Sequence, residues 1–299
     1  MTWWQFSLNC QASELEQVEA LMQELGALSI SLRDAGDEPI YEPLPDDNPV
    51  WQESVVTATF DAGLDPGQLK QQLTQGLPRH LAVEVRQETL EEQAWDQAYK
   101  QHFQPLQYAP DLWIVPSWSE PPVPDATVIR LDPGLAFGTG SHPTTALCLA
   151  WLGANKIKDR HVIDFGCGSG ILAIAAIKLG AKQVTAVDID EQALTACQSN
   201  MEVNAISAEQ IKVCRPENLT TAGTDLLVAN ILASPLVELA PRFASLIRPD
   251  GQILLSGILN TQLEEIQSSY QPFFDLDPAS YRDEWVCVSG YRLLRENND

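Results

Sequence analysis

The first 90 residues combine two patterns of apolar and polar positions. Apolar and polar residues alternate over residues 3–10, which predicts a half-buried strand. Residues 13–26 carry apolar side chains at helical spacing behind a Ser-x-x-Glu capping box, which predicts an amphipathic helix. The same reasoning predicts a strand, another strand, a helix that begins with proline and a last strand, at residues 27–34, 54–61, 66–76 and 81–90.

This order of elements, β-α-β-β-α-β, is that of a ferredoxin-like split sheet, so we predict an α+β domain over residues 1–90. A polar segment follows at residues 91–104, in which Trp95, Tyr99 and Phe103 share one side of a helix. We expect this segment to be a connecting helix between two domains.

Regular alternation of apolar strands and helices begins near residue 160. Five strands are predicted, HVIDF, VTAVDID, IKVC, DLLVANIL and QILLSGIL, with helices at residues 171–179, 191–204 and 235–247. Continuous apolar strands separated by helices indicate a parallel sheet covered on both faces. Two strand-like runs near the end of the chain predict a hairpin that closes this sheet, in a domain spanning residues 105–299.

Composition indicates a globular protein, since 44% of the 299 residues are hydrophobic and 20% are charged. The longest apolar runs, such as residues 171–177, are far shorter than the roughly 20 residues that a membrane helix needs. The first residues lack the basic and apolar regions of a secretory signal. We therefore expect a soluble cytoplasmic protein that does not interact with membranes, and a monomer.

Two further features of the composition bear on which metals and macromolecules the protein binds. The six cysteines are dispersed without a C-x-x-C pair, which favours buried thiols over a zinc site or disulfides, so no metal is expected. The formal net charge is −23, from 18 basic and 41 acidic residues. Such a charge repels nucleic acid phosphates and attracts basic proteins, although solubility alone also accounts for it.

A glycine loop follows the first strand of the predicted parallel sheet. Strand HVIDF continues into GCGSG and then into a helix, which puts Gly166, Gly168 and Gly170 at the edge of the sheet where ligands bind. Asp188 ends the next strand, and a carboxylate there is suited to the hydroxyl groups of a ribose. The alternative is a tight turn with a surface aspartate.

The spacing of the glycines favours one class of cofactor. A dinucleotide loop reads G-x-G-x-x-G and presents a helix N-terminus to a pyrophosphate. Here the third glycine comes one residue early, and Asp164 precedes the loop, where it would repel a pyrophosphate. S-adenosylmethionine has no phosphate and carries an ammonium group and a cationic sulfur, so it suits these acidic surroundings.

These residues resemble two nested groups of proteins. VIDFGCGSG with VTAVDID resembles the class I S-adenosylmethionine-dependent methyltransferases over residues 125–299, which implies a seven-stranded Rossmann-like fold. LDPGLAFGTGSHPTT, the glycine loop and VANILASPL resemble the bacterial PrmA family over the whole chain. That resemblance implies a protein-lysine N-methyltransferase that trimethylates lysine and N-terminal amino groups of a basic ribosomal protein, protein eleven of the large subunit. It also implies that the N-terminal domain recognises this substrate.

The resemblance implies that Thr145, Gly166, Asp188 and Asn230 contact the cofactor, and the glycine loop adds Gly168. We further hypothesise that the Asn230 carbonyl holds a hydrogen of the acceptor amine and aims its lone pair. The alternative for Asn230 is a strand-end residue that caps the next turn.

Other candidates for chemistry are weaker. His142 lies in a Gly/Pro-rich stretch, where a structural role with hydrogen bonds to the backbone is favoured over a general base. Cys167 is interpreted as a small buried filler rather than a nucleophile. The stretch LAFGTGSHPTT lacks the lysine and the spacing of a phosphate loop, so we expect residues 138–140 to fold over the cofactor and deliver Thr145 to it.

Three other functions stay open on the sequence alone. A nucleic acid methyltransferase is disfavoured because the fourth strand ends in Asn-Ile-Leu-Ala at residues 230–233, not Asn/Asp-Pro-Pro-aromatic, and because of the negative charge. A methyltransferase of another protein is possible. So is a module that binds S-adenosylmethionine without catalysis.

Overall fold

The computed structural model describes residues 2–36, 51–82, 85–91, 104–132, 142–220 and 223–294. The chain divides into two compact units, residues 1–99 and 100–299. The predicted aromatic stripe of the connecting helix, Trp95, Tyr99 and Phe103, lies outside the described residues, as do residues 138–140. The predicted domain boundaries at 90 and 104 stay predictions.

The described part of the first unit contains four strands and three helices. The strands are β1 (Thr2–Gln11), β2 (Ser29–Asp34), β3 (Glu53–Asp61) and β4 (Arg86–Glu91). The helices are α1 (Leu15–Glu24), α2 (Pro66–Gly76) and α3 (Arg79–Ala82).

The strands form an antiparallel sheet in the order β2-β3-β1-β4. Strand β3 lies between β1 and β2, and β1 lies between β3 and β4, so both β-α-β units are split as predicted. Alternate residues of the central strands, such as Phe6 and Phe60, are buried and pack with the apolar face of α1, which includes Val18 and Met22.

Two local predictions in this unit are wrong. The predicted capping box starts at Ser13, but the observed one starts at Gln11. The backbone amide of Gln11 donates to Oε2 of Glu14 at 3.1 Å. The reason is a short 3-10 helix, Ala12–Glu14, that precedes α1. The last strand begins at Arg86, because Leu81 lies in helix α3 and is buried in the core.

The described part of the second unit contains eleven strands and five helices. The strands are β5 (Leu106–Ala109), β6 (Leu112–Val115), β7 (Thr127–Arg130), β8 (His161–Phe165), β9 (Gln183–Val187), β10 (Ile211–Cys214), β11 (Thr224–Asn230), β12 (Ile247–Leu259), β13 (Phe274–Leu276), β14 (Ser280–Arg282) and β15 (Trp285–Arg292). The helices are α4 (Pro143–Ala154), α5 (Ile171–Lys178), α6 (Glu191–Val203), α7 (Ala233–Leu246) and α8 (Leu263–Tyr270).

The main sheet has the strand order β10-β9-β8-β11-β12-β15-β13, and β14 pairs with β15. Strands β8 to β12 are parallel to one another, and β13, β14 and β15 pair in antiparallel fashion. The predicted parallel sheet with a closing antiparallel hairpin is therefore confirmed. Strands β5, β6 and β7 form a separate small sheet.

Helices cover both faces of the main sheet. Apolar residues of α4, α5 and α6 pack on one face, and those of α7 and α8 pack on the other. Residues 171–177 are buried throughout, which explains why this helix is apolar on all sides. No helix among the described residues is long and apolar enough to cross a membrane.

The start of β12 differs from the prediction. Helix α7 ends at Leu246 and β12 begins at Ile247, before Pro249. The pairing of β12 with β11 jumps from Ile247 to Gln252, so Pro249 lies in an irregular stretch that the ladder omits. A proline is tolerated there because it gives up no ladder hydrogen bond.

Candidate cofactor-binding and catalytic site

The glycine loop after β8 depends on backbone conformations that other residues rarely adopt. Gly166, Gly168 and Gly170 have φ angles of 78°, 51° and 77°. A side chain in this left-handed region costs about 1–2 kcal/mol, so each position favours glycine. The amides of Gly166 and Cys167 donate to the carbonyl oxygen of Val187, at 2.7 and 3.0 Å, and so join the loop to the end of β9.

Asp188, directly after β9, is in contact with this loop. Its Oδ2 accepts from the amide of Gly168 at 2.9 Å, and its Oδ1 accepts from the amide of Asp190 at 3.0 Å. The side chain of Ile189 beside it is 74% exposed. Each carboxylate oxygen of Asp188 retains a second lone pair, so the group can still accept from ligand hydroxyls.

Asp164 lies at the base of the loop and is fully buried. Its Oδ2 accepts from the amide of Ala173 at 2.9 Å, and its Oδ1 has no hydrogen-bond partner among the described residues. Burial raises the pKa of this carboxyl to about 7, against the effect of the Ala173 amide and with a contribution from the Asp188 charge. An unpaired buried carboxyl oxygen of this kind suits a donor or a positive charge from a ligand.

Asn230 and Thr145 are brought together although they are far apart in the sequence. Asn230 is the last residue of β11, and its Nδ2 donates to Oγ1 of Thr145 at 3.3 Å. Thr145 lies in the first turn of α4 and is 2% exposed. The Oδ1 atom of Asn230 has no partner among the described residues, so it is available to accept a hydrogen bond.

Ile231 joins the glycine loop to the end of β11. A Cβ at Gly166 would lie 2.1 Å from Cγ2 of Ile231, and a Cβ at Gly257 would lie 2.2 Å from its carbonyl oxygen. Gly257 has a φ angle of 85° and lies at an irregularity of β12, between Leu255 and Ile258. Sequence reasoning missed Gly257, although a glycine inside a strand pattern is a known sign of a bulge or a close backbone approach.

His142 is the N-cap residue of α4. Its Nδ1 accepts from the amide of Thr144 at 3.4 Å and lies 2.8 Å from the Thr144 hydroxyl oxygen. Its ring meets that of Trp285 edge to face, with 4.9 Å between the centroids. Burial lowers the pKa of His142, against the effect of Glu284, which favours the neutral imidazole. The hydrogen bond to the backbone agrees with the predicted structural role, but no sequence signal pointed to Trp285 as a neighbour of His142.

Cys167 is 5% exposed, and a hydrogen bond with the thiol of Cys197, together with burial, raises its pKa. A buried thiol held in its neutral form is a poor nucleophile, in agreement with the interpretation as a filler. Among the described residues, no group of three or more His, Cys, Asp or Glu side chains is arranged to hold a metal ion.

Comparison with known proteins identifies the family. Residues 2–292 match the family model described as Ribosomal protein L11 methyltransferase (PrmA). The chain belongs to this family. A ribosomal protein L11 methyltransferase of Shewanella denitrificans is 45% identical over 98% of this chain and 100% of its own length. One from Pseudomonas savastanoi pv. phaseolicola is 47% identical over the same shares of the two chains.

A solved structure supports the fold of this PrmA-family chain. The crystal structure of a ribosomal protein L11 methylase from Lactobacillus delbrueckii subsp. bulgaricus is 37% identical, with a TM-score of 0.59. The match spans the full length of that structure and 64% of this chain. The predicted family and the predicted fold class, a Rossmann-like sheet behind an N-terminal α+β domain, are thereby confirmed.

Proposed function

We propose that this chain is an S-adenosylmethionine-dependent protein methyltransferase that methylates amino groups of ribosomal protein L11. The observation that carries the proposal is the match to the family over residues 2–292, together with relatives of that name at about 45% identity over 98% of the chain. We further propose trimethylation of lysine side chains and of the N-terminal amine, and recognition of the substrate by the N-terminal unit.

The residues at the edge of the sheet suit this cofactor. Gly166 and Gly168 supply the left-handed backbone of the loop that leads to the ligand-binding edge, and Asp188 has lone pairs for the ribose hydroxyls. The unpaired oxygen of Asp164 suits the positive charge of the amino acid end. When bound, S-adenosylmethionine supplies a methyl group on a cationic sulfur.

The task of the protein is then to align a neutral amine. Free lysine has a pKa of about 10.4, so the amine must lose a proton before transfer. Desolvation of the amine lowers its pKa and favours the neutral form. Donation from Nδ2 of Asn230 to Thr145 leaves Oδ1 to accept one amine hydrogen, which aims the nitrogen lone pair.

Replacement of Asn230 tests this role. We expect Asn230→Ala to reduce the turnover number by about 100-fold, because misplacement of the reacting groups is costly, while the melting temperature changes little. Asn155→Ala is the matched control, because Asn155 follows the C-terminal end of α4, away from Thr145 in its first turn. This substitution also removes a side-chain amide hydrogen bond, from Nδ2 of Asn155 to the carbonyl of Trp151 at 2.8 Å. If Asn230→Ala loses turnover only to the extent that its lower melting temperature leaves less folded protein, the proposed role is contradicted.

Transfer of a labelled methyl group separates the alternatives. Label in purified L11 supports the proposal, and label in another protein of a ribosomal fraction, with none in L11, indicates another substrate. Absence of label from every protein, with the cofactor bound, indicates a module without catalysis. The net charge of −23 disfavours RNA as the acceptor. We also expect a monomer located in the cytoplasm, where ribosomal proteins are made.

A further inference from the structure

The start of helix α4 packs against the first residue of strand β15. The Trp285 side chain is largely buried, with a relative exposure of 9%, and Trp285 pairs with Leu259 of the neighbouring strand. Its ring meets the His142 ring with an interplanar angle of 68° and a centroid separation of 4.9 Å. An edge-to-face pair at this distance favours a definite ring orientation, so the rigid sheet restrains the imidazole.

The imidazole in turn restrains the first turn of α4. Pro143 has no N–H group, so the amide of Thr144 is the first one in the helix that needs a partner. His142 supplies it through Nδ1, and the Thr144 hydroxyl lies at 2.8 Å from the same nitrogen. The amide of Thr144 can only donate, so this hydrogen bond requires the lone pair of Nδ1, and Nδ1 acts as an acceptor at the helix start.

The next residue reaches the site itself. Thr145 follows Thr144 in the same turn, and its hydroxyl oxygen accepts from Nδ2 of Asn230 at 3.3 Å. A shift of the helix start by a fraction of an ångström would therefore change the hydrogen bond that sets the orientation of the Asn230 carboxamide.

We propose that His142 and Trp285 are positioning residues for methyl transfer: the indole fixes the imidazole, the imidazole fixes the first turn of α4, and this turn holds Thr145 against Asn230. The proposal rests on the proposed role of Asn230 in aligning the acceptor amine. It assigns His142 no proton transfer. In this proposal Trp285 acts through its contact with His142.

Kinetics of four variants test the proposal. We expect His142→Ala and Trp285→Leu each to lower kcat by about tenfold or more. The KM for the cofactor should rise by a smaller factor, because Gly166, Gly168 and Asp188 keep their places while Thr145 and Asn230 shift. His142→Asn should recover much of the loss, because asparagine also caps helices through a side-chain oxygen. The double variant His142→Ala/Trp285→Leu should be little worse than either single one, because both changes break the same chain of contacts.

Phe274→Leu is the matched control. Its ring packs against Tyr270 at 6.0 Å in the same unit, so the substitution also removes an aromatic pair. It should lower the melting temperature without changing kcat below that temperature. If Trp285→Leu behaves like Phe274→Leu, Trp285 is merely structural. If His142→Asn is as inactive as His142→Ala, the imidazole takes part in the chemistry. Either result would overturn the proposal.

A spectroscopic measurement makes the proposal independent of the substrate. The side-chain NH₂ resonances of Asn230, assigned by their loss in Asn230→Ala, should shift in His142→Ala and Trp285→Leu and stay in place in Phe274→Leu. Unchanged resonances in the first two variants would overturn the positioning role even if methyl transfer to L11 is confirmed. Shifted resonances without any methyl transfer would instead count against the proposed function alone.

Discussion

At the scale of one residue, the buried carboxyl of Asp164 lowers the stability of the folded chain at neutral pH. Its pKa in the folded chain, about 7, is above the ordinary 3.8 because the carboxyl is buried. The folded state therefore holds this proton more tightly than the unfolded state between about pH 4 and about pH 7. The free energy of unfolding therefore falls as the pH rises through this window. Above about pH 7 the stabilisation from proton binding by Asp164 is lost completely.

We expect Asp164→Asn to remove this pH dependence. The variant should gain stability relative to the wild type as the pH rises from about 5 to about 8, by up to a few kcal/mol. Urea unfolding at both pH values measures the difference, with Asp159→Asn as an exposed control. A stability difference between wild type and Asp164→Asn that does not change with pH would contradict the account.

Gly257 gives a second prediction for a single residue. Gly257 and Gly223 have φ angles of 85° and 74°, but among the described residues a Cβ at Gly223 would meet only Cβ of Arg248, at 4.0 Å. Gly223→Ala should therefore cost about 1–2 kcal/mol of stability for strain alone. Gly257→Ala adds an overlap with the Ile231 carbonyl oxygen, so we expect a larger cost and a loss of turnover. Equal effects of the two variants, measured by urea unfolding and methyl transfer, would show that the overlap relaxes freely.

At the scale of elements, hydrophobic periodicity predicts most of the main sheet because its central strands β8, β9 and β11 are largely buried on both faces. Strands β8 and β10 have the predicted bounds, and α5 and α6 differ by one residue at their ends. The failures come from tertiary contacts. Leu81 is apolar like a strand residue but packs as part of α3, and the jump in pairing of β12 accommodates Pro249.

The same distinction applies to the site. Gly166, Gly168 and Asp188 are predictable because a strand, a turn and a second strand end place them close together along the chain. The contact of Trp285 with His142 is not predictable in this way, because the two residues are far apart in sequence. Gly257 inside a strand pattern signals a close approach, but the pattern does not show that Ile231 is the partner. Only the folded sheet shows those contacts.

Helix α6 offers a prediction for an element. Asp190 caps it, and its Oδ1 accepts from the amide of Gln192 at 2.9 Å. Asp190→Ala should lower the free energy of unfolding by about 1 kcal/mol, whereas Asp190→Asn should keep most of it. Chemical denaturation of the two variants measures this, and equal losses would assign the effect to the charge at the helix start and not to the capping hydrogen bond.

At the scale of the whole molecule, the net charge of −23 predicts how the protein substrate is attracted. Ribosomal proteins are basic, and charges in solution are screened over about 8 Å at physiological ionic strength. Added salt should therefore raise the KM for the protein substrate more than the KM for the cofactor. Steady-state kinetics over a salt series measure both constants, and a parallel rise of the two would show that the charge serves solubility alone.

The central claim, that this chain methylates amino groups of L11 with Asn230 aligning the acceptor, is tested most directly by mass spectrometry of purified L11. The protein is incubated with S-adenosylmethionine and either the wild-type chain or Asn230→Ala. We predict mass gains in whole methylene steps on lysine or N-terminal amines with the wild type, and a strongly reduced rate with Asn230→Ala. Unmodified L11 after incubation with the folded wild-type chain would contradict the account.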